Sequence, residues 1–269
     1  MRNGGYEGLF VGLRSEARAL GWCGPLRALR GLLMPMDPLS SSLKESEAAA
    51  QLRWWELPGS SGAKFCLSQD FEATWRWRER QAGRSGLAPP YWAKAWPGGQ
   101  TISRFIMDNP WIVEGRRVMD LGAGCGLCSV VAAKAGAAWV QAVDPDPLAC
   151  EAVQLNAAQN NVNVSVLCAD LLAQEAVEVD VILAGDLWYE RFLAQRVSGW
   201  LERQALRGVC VLVGDIGRAF LPRGCLTPLA TYAVEVDDEQ ERADQSLGTV
   251  YSFARRSGAW EGPQAVRHS

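Results

Sequence analysis

The stretch Val118-Met-Asp-Leu-Gly-Ala-Gly-Cys-Gly126 constrains this chain more than any other. An apolar run with an acid near its end, followed by three glycines at alternate positions, reads as a buried strand turning sharply into a helix. Glycines in such a turn let the backbone take left-handed conformations and lie close to a ligand. A buried strand feeding a helix is the first half of a βαβ unit, the unit from which parallel sheets are built. The chain keeps that alternation. Strands are expected at 117–121, 139–144, 164–168, 179–184 and 209–214. Helical spacing is expected at 98–109 and 127–135, in a segment whose buried face is marked by Leu148, Ala152 and Leu155, and in one carrying Phe192, Leu193, Val197, Trp200 and Leu201. Two more strand-like runs, 231–236 and 249–254, have nothing clearly helical between them and are expected to pair as an antiparallel hairpin. The expected fold is α/β and Rossmann-like: a mostly parallel seven-stranded sheet closed by that C-terminal hairpin.

The catalytic domain is expected over 97–256, with a short tail at 257–269. Ahead of it, residues 51–96 form a flank dense in tryptophan (Trp54, Trp55, Trp75, Trp77, Trp92, Trp96) and interleaved with Arg76, Arg78, Arg80 and Arg84. Aromatic–basic mixtures can stack nucleobases. A formal net charge of -3 gives no general pull toward nucleic acid or an anionic membrane. The preferred reading is packing, with arginine stems lying on tryptophan faces. Residues 1–50 read as an extension or linker. The first 35 contain five arginines, no lysine and only the acids Glu7 and Glu16, a bias that suits a mitochondrial transit peptide. A short amphipathic helix and a start at Met34 or Met36 stand beside that reading. The alanine- and tryptophan-rich body favours a bacterial cytoplasm, the expected location, with a mitochondrial matrix as the alternative.

Several chemistries drop out. The only histidine, His268, is next to last, and chain termini are usually poorly held. Ser-His-Asp, Cys-His and His-Glu-x-x-His mechanisms therefore have no histidine to use. Cys125-Gly-Leu-Cys128 is the only Cys-x-x-Cys among eight cysteines, and a zinc site needs a second pair. Cys125, Cys128, Cys168 and Cys210 lie in or beside apolar segments and are expected to be buried reduced thiols. No apolar run approaches the ~18 residues that span a bilayer. No metal is expected.

The acid in the glycine turn selects the ligand. A dinucleotide puts its pyrophosphate at this helix start, and Asp120 would repel it. S-adenosylmethionine has no phosphate but carries an ammonium and a sulfonium, which Asp120 complements. Further acids stand at the ends of the later strands. Asp144 ends the second, where a carboxylate can accept both ribose hydroxyls. Asp170 follows the third, where an adenine amino group would lie, and Asp186 follows the fourth. In open α/β sheets ligands bind at these strand ends.

At these residues the chain resembles the class I methyltransferases, and more narrowly the lysine methyltransferases that modify the electron transfer flavoprotein β subunit. The resemblance spans roughly residues 88–255. It rests on Pro90-Tyr-Trp-Ala-Lys-Ala-Trp-Pro-Gly-Gly99, Asp108-Asn-Pro110, the glycine motif, Asp144-Pro-Asp-Pro147, Gly185-Asp-Leu-Trp-Tyr-Glu190 and Gly214-Asp-Ile-Gly-Arg218. It implies S-adenosylmethionine as cofactor, bound by Trp96, Asp120, Gly122, Gly124, Gly126, Asp144, Asp170 and Gly185. It implies a protein substrate, the electron transfer flavoprotein β subunit being the candidate; a small-molecule N-methyltransferase of the same fold and a non-catalytic cofactor-binding module stand as alternatives. Asp186 and Tyr189 match an acid-x-x-Tyr motif beside the substrate lysine. Asp186 is expected to orient the incoming ammonium, with Trp188 and Tyr189 presenting ring faces to it. Nucleobase methyltransferases of this fold often carry Asn/Asp-Pro-Pro-Tyr/Phe at that place, and this chain lacks those prolines.

Overall fold

A computed structural model describes residues 52–235 and 245–253. The arginine-biased N-terminus, the 37–50 linker, Cys23, Val236, Ala254, His268 and the 257–269 tail lie outside the described residues.

The flank folds as a hairpin of β1 (Leu52–Glu56) and β2 (Lys64–Ser68), then helix α1 (Phe71–Ala82). Asp70 caps α1 by accepting the Ala73 N–H at 2.8 Å, as an N-cap aspartate should. A 3₁₀ turn at Tyr91–Ala93 leads into α2 (Pro97–Asp108), whose first residue is a proline already set for a helix start. Then β3 (Arg117–Leu121), α3 (Leu127–Lys134), β4 (Trp139–Asp144), α4 (Pro147–Gln159), β5 (Ser165–Cys168), β6 (Val181–Gly185), α5 (Arg191–Leu206) and β7 (Cys210–Asp215) follow in alternation. Two long strands, β8 (Leu226–Glu235) and β9 (Gln245–Phe253), complete the sheet.

The seven strands lie in the order β5-β4-β3-β6-β7-β9-β8. The pairs from β5 to β7 are parallel, and β9 runs antiparallel to both β7 and β8. The hairpin thus joins as expected, but β9 inserts between β7 and β8. Strand residues alternate between two apolar layers. Val118, Leu183 and Leu212 face Ile102, Ile106, Val130 and Val131 of α2 and α3. Met119, Ile182 and Val213 face Val197, Trp200 and Leu201 of α5. Chain order reverses at β3, with β4 on one side and β6 on the other. Their carboxyl ends diverge there and leave a crevice.

Four details depart from expectation. The buried residues of α4 are Ala149, Cys150, Ala152, Val153, Asn156 and Ala157, while Leu148 and Leu155 are half-buried. The reason is polar: the Asn156 side-chain amide donates to Cys125 O at 2.8 Å and accepts from Cys66 N at 2.8 Å. This ties α4 to the glycine turn and to β2, because a buried amide must be satisfied. Phe192 is 66% exposed on the first turn of α5. Cys168 is exposed because β5 is an edge strand, while Cys125, Cys128 and Cys150 are buried. In the flank, the arginines answer to acids and carbonyls: Arg76 pairs with Glu72, and Arg78 pairs with Asp146 at 2.9 Å and donates to Ala88 O. The cations over the Trp96 ring are Lys94 and Arg218. Among the described residues, no helix is long and apolar enough to cross a membrane.

Candidate active site

A cavity of about 450 Å³ occupies the crevice, inside the range of about 300–1,000 Å³ usual for small-molecule sites. Leu121, Val143, Leu171 and Leu172 form its apolar walls, and Asp144, Asp170 and Asp186 stand at the ends of successive strands. A second space of about 40 Å³ adjoins it behind the glycine turn, reaching Asp120, Cys125 and Cys128. Trp96, Gly122, Gly124, Gly185 and Asp186 line both.

The turn is built as its glycines demand. Gly124 has φ 53° and exposes its backbone to the cavity, donating its N–H to Asp144 Oδ2 at 3.0 Å. Gly126 lines neither cavity. It is glycine because φ is 78° and a Cβ would press on Val153 of α4 at 3.1 Å. Its expected contact with cofactor gives way to helix packing. Gly185 does line both cavities, and a Cβ there would meet the α2 backbone at Gly99 N, 2.9 Å away.

Asp120 is buried, accepting from Ser129 N at 2.9 Å and Ser129 Oγ at 2.7 Å. Burial pushes its pKa up to about 6, against the lowering hydrogen bonds from Ser129 and with a further rise from Asp144. Asp144 also accepts from Asp146 N at 2.9 Å. Burial raises its pKa, while the Asp146 and Gly124 N–H groups lower it. Asp170 is more open. Burial pulls its pKa up, but the Arg196 hydrogen bond at 2.7 Å, the Leu172 N–H and the charge of Arg196 hold it below the usual carboxylate value.

Asp186 sits at φ 57°, a left-handed conformation unusual for a non-glycine residue. That backbone turns its carboxylate under the start of α2. One oxygen accepts the Gly98 and Gly99 N–H groups, and the other accepts Arg218 Nε at 3.1 Å and a second guanidinium nitrogen at 2.9 Å. Four N–H groups fill the four acceptor positions of a carboxylate. The expectation of an oxygen open to a substrate ammonium is therefore corrected: Asp186 holds α2 and Arg218 in place. It does not cap α5, because Glu190 does so by accepting Phe192 N and Leu193 N at 2.8 Å each. Burial pushes the Asp186 pKa up to about 6, opposed by Arg218.

The neighbouring aromatics divide. Tyr189 is 42% exposed at the cavity mouth, its ring 5.1 Å from that of Tyr91. Burial, with Tyr91 and Asp144 beside it, pushes its pKa up to about 12, so it stays a neutral hydroxyl near neutral pH. Trp188 is fully buried and donates to Ser198 Oγ at 3.0 Å. It belongs to the core under α5, which removes it from the substrate-binding set. Trp96 donates its indole N–H to Tyr91 O at 2.7 Å and lines both cavities. Sequence reasoning gave no role to Tyr91, Lys94, Arg196 or Arg218. Tyr91 and Lys94 lie in the Pro90–Gly99 stretch and Arg218 ends Gly214–Arg218, but nothing local says that they reach a cavity.

The lining suits a cation better than a pyrophosphate. Among the described residues, Asp144, Asp146, Asp170 and Asp186 line the larger cavity with two arginines, Arg196 and Arg218, and each arginine is bonded to one of those acids. These residues fit S-adenosylmethionine. A pH prediction follows. Below about pH 6 Asp120 is protonated in the free protein, and binding a cation must expel that proton. Cofactor affinity is expected to rise with pH by at most about tenfold per unit up to about 6, then level off. Stability of the cofactor-free protein moves oppositely. The raised folded pKa of Asp120 favours the folded state below the ordinary value of 3.8, and that gain is lost as pH rises through about 6. Calorimetric titrations and thermal melts between pH 4.5 and 7.5 check both directions.

The family model described as ribosomal protein L11 methyltransferase matches residues 105–188. The electron transfer flavoprotein beta subunit lysine methyltransferase of Xenopus laevis is 41% identical over 170 residues, covering 61% of this chain and 69% of that relative. Its Mus musculus counterpart is 37% identical over 183 residues, covering 66% of this chain and 71% of that relative. Among solved structures, the ribosomal protein L11 methylase from Lactobacillus delbrueckii subsp. bulgaricus shares 21% identity at a TM-score of 0.43, over 59% of this chain and 79% of its own.

Proposed function

This chain belongs to the electron transfer flavoprotein β subunit lysine methyltransferase family, and on that premise we propose that it methylates lysine side chains of an electron transfer flavoprotein β subunit. It is a class I methyltransferase and uses S-adenosylmethionine. The observation that carries the reading is the cavity at the strand ends, apolar-walled and edged by Asp144, Asp170 and Asp186, with the partly exposed Tyr189 in its lining. That mouth is where a side chain from a protein surface could enter.

When bound, the cofactor supplies an electrophilic methyl group on a sulfonium. The chain's own residues do the rest by holding and orienting. Asp144 keeps lone pairs for the ribose hydroxyls, and Asp170 marks the adenine end. Gly122 and Gly124 let the backbone approach. Tyr189, neutral at working pH, can accept a hydrogen bond from the incoming amine. A free lysine has a pKa near 10.4, and the described site has no histidine to take its proton. Catalysis then comes from alignment of a neutral amine, with the proton leaving to water. Incubating the purified protein with labelled S-adenosylmethionine and intact electron transfer flavoprotein is expected to label lysines of the β subunit, read by peptide mass spectrometry. An unlabelled β subunit, or label found only in small metabolites, would sink the assignment.

Asp144→Ala is expected to weaken S-adenosylmethionine binding about ten- to a hundredfold, the worth of a charge-assisted hydrogen bond of about 1.5–3 kcal/mol. Unchanged affinity by calorimetry would remove Asp144 from the ribose. As to compartment, our reading is the cytoplasm. A native N-terminus cut within residues 20–50 would overturn it in favour of the matrix.

A further inference from the structure

Two thiols meet beside the end of the larger cavity that Asp144 and Asp170 mark. Cys150 stands in the first turn of α4, and Cys168 ends β5. Neither is in a disulfide. The Cys150 thiol donates to Asp144 O at 3.5 Å and the Cys168 thiol to Pro145 O at 3.8 Å, so the two sulfurs sit on consecutive carbonyls. Sheet register brings them there, because Cys168 pairs with Asp144 across β4 and β5. The thiols also hydrogen-bond to each other.

Their surroundings differ. Cys150 is 2% exposed, whereas Cys168 is open to solvent. Burial pushes the Cys150 thiol up, helped by Cys168 and by the charges of Asp144 and Asp146, so it stays protonated near neutral pH. An oxidant arriving from water therefore meets Cys168 first, with a second thiol directly behind it. An accessible sulfur backed by a resolving thiol is the arrangement of a peroxide-sensitive site. The residues around the pair are cavity wall: Asp144, Pro145, Ala149, Ala169 and Asp170 all line the larger cavity. Ala169 N also donates to Asp144 O, at 3.1 Å, the carbonyl that Cys150 holds.

We propose that Cys150 and Cys168 form an oxidation site for a peroxide, and that their disulfide weakens cofactor binding. The second part rests on the cavity being the cofactor site. The Cys168 sulfur attacks one peroxide oxygen: an S–O bond forms, the O–O bond breaks, and the leaving oxygen takes the thiol proton and departs as water. The Cys150 sulfur then attacks the sulfenic acid: the S–S bond forms, the S–O bond breaks, and the hydroxyl leaves with the Cys150 proton as a second water. The two thiols lose two electrons and hydrogen peroxide gains them. The disulfide has no S–H, so the Asp144 and Pro145 carbonyls each lose a donor. A covalent bond is also shorter than the hydrogen bond it replaces, so the start of α4 and the end of β5 are drawn together beside Asp144.

The test treats the purified full chain with hydrogen peroxide, then reads linked peptides by non-reducing mass spectrometry and S-adenosylmethionine affinity by calorimetry. The wild type is expected to yield a Cys150–Cys168 linked peptide and to lose about tenfold in affinity, the worth of one misplaced hydrogen bond to the cofactor. Dithiothreitol should reverse both. Cys168→Ser and Cys150→Ser, whose hydroxyls can still reach the carbonyls, should keep their affinity through peroxide treatment. Should Cys150→Ser fail to fold, the exposed Cys168→Ser carries the comparison. Absence of the linked peptide overturns the proposal. So does a linked peptide with unchanged affinity, or an equal loss of affinity in Cys168→Ser, which would place the damage elsewhere. An untreated wild type that does not bind S-adenosylmethionine would instead overturn the cofactor reading, while the linked peptide would still decide the oxidation site.

Discussion

Asp186→Asn is expected to unfold several degrees below the wild type, with a stability loss of about 3–5 kcal/mol, the usual consequence of breaking a buried pair from one side. The carboxylate accepts four N–H groups: two from the start of α2 and two from Arg218. An asparagine presents one oxygen and one NH₂. Whichever way it turns, its NH₂ meets either the Gly98 and Gly99 N–H groups or the guanidinium, donor against donor. Arg218 also lies over the Trp96 ring, 5.9 Å from its centroid, so turnover should fall together with stability. A double variant separates the causes. Removing Arg218 as well takes away the half-buried cation left without its Asp186 partner, so Asp186→Asn/Arg218→Gln should lose less than the two single changes added, by about 0.5–3 kcal/mol. The contrary outcome is equally definite. Wild-type stability of Asp186→Asn with lost turnover would return the carboxylate to the substrate lysine.

Trp188→Ala should be as damaging, at about 3–5 kcal/mol, because a large buried side chain is removed and its space is only partly refilled. The indole is fully buried in the layer holding Val197 and Trp200, and its N–H is bonded to Ser198. Trp188→Phe keeps most of that volume and drops only the hydrogen bond, so it should lose less stability and leave KM for the protein substrate unchanged. Stability curves and steady-state kinetics on the phenylalanine variant decide the matter. A tenfold rise in KM without loss of stability would show that the ring reaches substrate after all.

What local signals could determine, they did. Alternation of apolar runs with helical spacing located β3 to β7 to within about two residues, because a strand repeats every two residues and a helix every 3.6. The glycines of the first turn and the acids at strand ends were legible for a similar reason, since backbone conformation and residue chemistry are local properties. Directions in space were not. Asp186, Trp188 and Tyr189 are near neighbours in one loop, yet one faces a helix start, one the core and one the cavity mouth. The cause is the left-handed backbone at Asp186, which no residue type there announces. A hairpin can add to a sheet by either strand with the same pattern. β9 took the inner place, where Gly248 lies against Thr101 of α2 and a side chain would collide. Tyr91 and Arg218 meet at the larger cavity only because two segments distant in sequence close on it. Residue type and spacing settled which elements form and what charge their ends carry. Packing between distant segments decided which side chains face the ligand, because contacts across the fold have no period along the chain.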